Sequence, residues 1–173
     1  MPSWSVAGVC HASNARQLPI VELRAYPIFS ETLRMTDDII KVDLIGPDGT
    51  AHEAELLLWE EDPADKDKVR LSLRIMGREI ERSEGDFFSA MCQIRRELED
   101  NHLLLKCYGA SRTVFPSPMS KGMGYGSMAY KLYPGRPARQ DDLVCIFDTG
   151  PDVSPASVDD QEKYYQEWLN SLK

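Results

Sequence analysis

Phe147, Asp148, Thr149 and Gly150 spell FDTG, which contains the Asp-Thr-Gly triplet with which aspartic proteases bring two aspartates together over one shared proton. Only 23 residues follow Gly150, and they read as a proline-containing loop and a helix. No second copy supplies the other carboxylate unless a dimer does, so Asp148 reads as a turn residue before Gly150 and Pro151. Glycines at alternating positions in GMGYG, residues 122–126, invite a phosphate-cradling reading. A dinucleotide loop needs GxGxxG between a strand and a helix, and a P-loop needs a following Lys and Ser or Thr; neither context is present. A phosphate- or nucleotide-dependent enzyme would have to use Arg112 and Lys121 beside Ser117 and Ser120, side-chain types that ordinarily sit solvated or paired on a surface. Cys10, Cys92, Cys107 and Cys145 have no CxxC spacing, and His11, His52 and His102 are scattered. This arrangement predicts reduced cysteines and implies neither a metal nor another cofactor.

The stretch from Ser117 to Leu132, SPMSKGMGYGSMAYKL, packs glycines and methionines between a proline pair and a strand-like run. It reads as a long structured hairpin loop. Its glycines permit φ above zero, and Met119, Met123 and Tyr125 either pack back onto a sheet or present a contact surface.

Around that loop the hydrophobic periods predict an α+β fold. In KVRLSLRIM, Val69, Leu71, Leu73 and Ile75 alternate with Lys68, Arg70, Ser72 and Arg74, the period of a strand with one wet face. Ile40, Val42 and Leu44 form a second strand, and Ala54, Leu56 and Leu58 a third, with Gly46-Pro47-Asp48-Gly49 as the reversal between them. Phe87, Met91, Ile94 and Leu98 then fall on one helical stripe. HLLLKCY and SMAYKLY read as two more strands flanking the loop. The last helix, in SVDDQEKYYQEWLNSLK, carries Tyr165, Trp168, Leu169 and Leu172 behind an acidic first turn; this stripe serves either to pack onto the domain or to dock another protein. The expected architecture is an antiparallel sheet of five to six strands, a helix at residues 86–100 against one face, and a carboxy-terminal helix nearby. Residues 1–18 show no usable period and read as a tail, leaving 19–173 as a single globular domain.

A chain of 173 residues with 42% hydrophobic and 28% charged residues has the composition of one folded domain with a real core. Its formal net charge of -8 argues against general affinity for nucleic acid or anionic lipid, and no apolar run reaches the length of a membrane span. The start lacks a basic region followed by a continuous apolar one, so a cytoplasmic location is expected. Charge is blocked along the chain. Residues 31–67 hold twelve carboxylates against three Lys or Arg, whereas residues 68–140 hold thirteen Lys or Arg against seven acids. The densest acidic piece, WEEDPADKD, contains Glu60, Glu61, Asp62, Asp65 and Asp67. It reads as a loop whose negative face either is simply solvated or steers a basic partner.

The run from Cys92 to Asp148 resembles the small immunity proteins encoded beside bacterial polymorphic toxins, notably those near rearrangement-hotspot (Rhs) toxins. The resemblance covers about a third of the chain. It rests on an Arg- and Glu-rich helix, LLLKCYGASRTVFPS, the MSKGMGYG loop, the AYKL strand and DLVCIFD. The resemblance implies a stoichiometric inhibitor that is not an enzyme: a cytoplasmic monomer or small homo-oligomer that binds the carboxy-terminal domain of a cognate toxin and blocks its active site or substrate surface. A basic toxin domain would meet the five acidic loop residues, and Met119, Lys121, Met123 and Tyr125 would supply further contacts, with no direct nucleic-acid or membrane binding. The competing readings are a secretion-associated adaptor or chaperone for a toxin, and the small phosphate- or nucleotide-dependent enzyme considered above.

Overall fold

The computed structural model describes residues 38–173. Strands β1 (Asp38–Ile45) and β2 (Ala51–Trp59) pair antiparallel, with Ile40 opposite Leu56 and Val42 opposite Ala54. The reversal between them uses Gly49 at φ 80°, and Asp48 Oδ1 accepts the Thr50 N–H at 3.0 Å. Strands β3 (Val69–Ile75) and β4 (Arg78–Glu84) follow, joined by Met76 and Gly77 at φ 49° and 76°. Two successive left-handed residues make the tight turn whose twist matches that of the flanking strands.

Helix α1 (Phe87–Glu99) begins where Asp86 accepts the Ser89 N–H at 2.9 Å. Its stripe of Phe87, Met91, Ile94 and Leu98 is buried, packed with Leu44, Leu56, Leu71 and Leu73 from one face of the sheet. Side chains of this size each contribute roughly 1.5–3 kcal/mol on full burial, so this helix–sheet layer is the main source of stability. Strand β5 (Leu104–Lys106) then returns to the outer side of β1, completing a sheet in the order β4-β3-β2-β1-β5.

A second antiparallel sheet is made by β6 (Val114–Phe115), β7 (Met128–Lys131) and β8 (Leu143–Cys145), in the order β6-β7-β8. Between β6 and β7 lies the short helix α2 (Pro118–Met123), and the chain ends in α3 (Val158–Ser171). The protein is thus α+β, with an antiparallel five-stranded sheet, a helix on one face and a carboxy-terminal helix, as the periodicities predict. Residues 38–173 belong to one compact unit, whereas the tail expected at residues 1–18 lies outside the described residues.

Three local expectations are corrected. HLLLKCY and SMAYKLY are not partners: Leu104–Lys106 pairs with β1, and the strand opposite Met128–Lys131 across the loop is the two-residue β6. The loop itself contains a helix, because Ser117 Oγ accepts the Ser120 N–H at 3.1 Å and Pro118 opens the first turn, where its missing N–H costs nothing. Finally, the expected wet face of β3 is partly buried. Asp62 folds back onto Arg70 at 2.6 Å, and Ser72 Oγ donates to Glu79 Oε1 at 2.5 Å.

Candidate partner-binding face

Met119 and Met123 stand four residues apart on α2, and a helix places such residues on one face. Both point outward, 72% and 84% exposed, and Tyr125 beside them is 50% exposed. Such outward apolar groups matter when they cluster on a rigid support, because isolated ones are ordinary.

The support is built from below. Lys121, on the inner side of α2, holds its Nζ 5.0 Å from the Phe88 ring centroid and 5.6 Å from that of Phe115. Ser120 Oγ donates to the Met128 carbonyl, tying α2 to β7. Tyr125 adopts φ 50°, a left-handed conformation that costs an L-residue roughly 1–2 kcal/mol. Its carbonyl accepts the Phe87 N–H at 2.7 Å, satisfying one of the unpaired donors at the start of α1. Gly126 follows at φ 66°, so close to α1 that a Cβ would lie 2.5 Å from Asp86 Oδ1. Of the three loop glycines, only this one uses the left-handed freedom expected of them: Gly122 is inside α2, and Gly124 closes it at φ −127°.

The acidic loop leaves the same end of the large sheet. Val69, which opens β3 after the loop, pairs with Glu84, which closes β4 two residues before the Asp86 cap. The loop is internally tied: Asp62 N–H donates to the Lys68 carbonyl at 2.7 Å, and Lys68 N–H to the Asp65 carbonyl at 3.0 Å. Glu60, Glu61, Asp65 and Asp67 are exposed. Asp65 forms a half-exposed ion pair with Lys68 at 3.4 Å. Asp62 departs from the expected acidic face. It is 3% exposed, it takes Arg70 in two hydrogen bonds of 2.6 and 3.2 Å, and its Oδ1 accepts the Ala64 N–H at 2.7 Å. Its charge is neutralised within the fold, so the outward negative set is four residues rather than five.

Arg112, Lys121, Ser117 and Ser120 do not converge on an anion site. Ser117 caps α2, Ser120 anchors it, and Arg112 lies over the Tyr164 ring at 5.1 Å. Asp148 is exposed, and its backbone carbonyl accepts the Tyr108 N–H at 2.8 Å, in keeping with a turn role. Among the described residues, no three His, Cys, Asp or Glu side chains gather as a metal site would require, and no helix is long and apolar enough to cross a membrane.

A buried node that the hydrophobic periods do not announce holds this region together. Arg95, 1% exposed on α1, donates to Gln161 Oε1 on α3 at 2.5 Å, to the Gly109 carbonyl at 3.2 Å and to the Ala156 carbonyl at 2.9 Å. Gln161 in turn donates to the carbonyls of Gly109, Ser111 and Val114. Removal from water pulls the Arg95 pKa below its ordinary value. An Arg in an amphipathic helix reads as solvated unless an acceptor 66 residues away is known to reach it.

The carboxy-terminal stripe divides. Tyr165 stacks on Phe115 with centroids 4.0 Å apart, and Trp168 Nε1 donates to the Arg136 carbonyl at 3.0 Å. Leu169, near the end of α3, and Leu172, which caps it, remain 37% and 38% exposed. No known protein-family model matches the chain, and no curated protein matches it either.

Proposed function

We propose that this protein is an immunity protein, a stoichiometric inhibitor that neutralises a cognate bacterial toxin by binding its carboxy-terminal domain and covering the active site or substrate surface. The observation that carries this reading is the outward exposure of Met119, Met123 and Tyr125 along a backbone fixed to the start of α1. Methionine adapts to an irregular partner surface, a half-exposed tyrosine supplies contact area at low entropic cost, and a preformed platform reduces the ordering penalty of binding. The exposed Glu60, Glu61, Asp65 and Asp67 add a field that speeds the approach of a basic domain. The mode of action is affinity, with no bond made or broken.

Expression of the adjacent toxin's carboxy-terminal domain in cells, with and without this protein, tests the reading. Rescue of growth together with recovery of a one-to-one complex supports it; rescue without a complex assigns the protein to repair of the toxin's damage instead. The exposed Leu169 and Leu172 favour a second reading, a secretion-associated adaptor that docks a transported segment on α3. An adaptor forms a complex without rescuing growth.

A further inference from the structure

A groove of about 180 Å³ opens between α1, α2 and the start of α3. Small-molecule sites usually occupy roughly 300–1,000 Å³, so this groove has room for a side chain or two rather than for a nucleotide-sized ligand. Phe88, Cys92 and Val158 provide apolar lining, and Lys121 and Arg96 stand at its sides.

Two cations, Lys121 and Arg96, line the groove in a molecule whose formal net charge is -8. Among the described residues Glu162 is the acid that lines it, and Glu99 lies close by, its Oε1 accepting the Val158 N–H at 2.8 Å. Among the described residues, Lys121 and Arg96 have no carboxylate within ion-pair distance, whereas Arg70, Arg74, Arg82 and Arg136 are each paired. The Lys121 ammonium rests against two aromatic faces, a position that leaves its N–H donors free to turn toward a further acceptor. Arg95, bonded to Gln161 and to the Gly109 and Ala156 carbonyls, adds a third cation next to the groove. Glu162 and the acidic first turn of α3, Asp159 and Asp160, disfavour a long polyanion more than a single carboxylate within a short segment.

We infer that this groove docks a short peptide segment of a partner protein, in which a carboxylate lies between Lys121 and Arg96 and an adjacent apolar side chain packs against Cys92 and Val158. The surface is opposite in sign to the acidic loop. It therefore selects partners by a local acidic-apolar sequence rather than by overall basic charge, and it stands whether or not the partner is a toxin.

The test uses the full chain, isotope-labelled, titrated with acetyl-Glu-Leu-Glu-amide and followed by amide chemical shifts. The expected result is a saturable shift of the α1 amides from Ser89 to Arg96 and of Lys121, about ten-fold weaker for the neutral acetyl-Gln-Leu-Gln-amide. Binding of the acidic peptide should fall by a similar factor in Lys121→Gln and in Arg96→Gln, variants whose spectra away from the groove report that the fold is kept. The inference is overturned by an absence of shifts at roughly 10 mM acidic peptide. It is also overturned by equal binding of the neutral peptide, by undiminished binding to both variants, or by inorganic phosphate saturating the same amides as tightly, which would make the groove a general anion site.

Discussion

Arg95 and Gln161, 66 residues apart in sequence, meet at 2.5 Å in the interior and fasten α1 to α3. Gln161→Leu removes the guanidinium's side-chain acceptor and leaves the Val114 carbonyl without its amide donor, while the Gly109 carbonyl keeps Arg95 and the Ser111 carbonyl keeps the Val114 N–H. Each buried polar group left unmatched costs about 1–3 kcal/mol, so urea unfolding should show a loss of roughly 3 kcal/mol or more. Gln161→Glu, which retains the acceptor for Arg95 but loses the amide donors, should also destabilise.

Asp62 and Glu61 are neighbours in sequence with opposite tasks. Asp62→Asn weakens the pairing of Arg70, which is 5% exposed and keeps Glu81 at 3.3 Å, and should cost about 1–3 kcal/mol in chemical denaturation. Glu61→Gln should change stability by less than about 0.5 kcal/mol, because an exposed side chain away from such a network carries little. Its effect should fall on the rate of association with a basic partner and on the salt dependence of that rate.

Burial pushes the Cys107 thiol up to about 11 from an ordinary 9.0, against the opposing pull of the Ala110 backbone hydrogen bond and Arg95. The folded pKa exceeds the unfolded one, so this contribution to stability is complete below the unfolded pKa and disappears as pH rises through the folded value. Urea midpoints taken between about pH 8 and pH 11 should reveal a loss of roughly 2–3 kcal/mol. Cys107→Ala should flatten that part of the slope while lowering overall stability through the small void it leaves.

Tyr125→Gly relieves a left-handed backbone but gives the unfolded chain more freedom, and the two effects oppose each other. Net stability should change by less than about 1 kcal/mol, whereas binding to a partner that uses the face should weaken about ten-fold or more with the ring gone. A comparison of thermal unfolding with calorimetric affinity separates the two effects. Strong destabilisation would assign the ring to packing rather than contact.

The parts of this fold legible in the sequence are those set by short-range period. Val42 and Leu44 on one strand, Leu71 and Leu73 on another, and the Phe87, Met91, Ile94, Leu98 stripe all face the core as their spacing predicts. Strand β4 is hidden because Arg78–Glu84 is an edge strand with Ile80 as its one buried apolar residue, and charged side chains protect such an edge. Its signal is Gly77, the second residue of a two-residue turn. At the candidate face, composition marks the unusual loop but not helix α2, whose start depends on a single Ser117 cap. Likewise, composition counts Asp62 among the surface acids, because its Arg70 partner lies eight residues away on the next strand. Pairing across the chain, which no local period encodes, separates structural charge from outward charge.

The most direct measurement of inhibition by binding is a titration of the purified toxin domain, at fixed concentration and acting on its own substrate, with this protein and with its Met119→Gln/Met123→Gln variant. The account predicts that residual toxin activity falls linearly to an endpoint at one equivalent of the unaltered protein, independent of incubation time once the complex has formed. It further predicts that the variant, folded to within about 0.5 kcal/mol of the original, requires a large excess. Full inhibition at far less than one equivalent, growing with time, or an unchanged endpoint with the variant would contradict it.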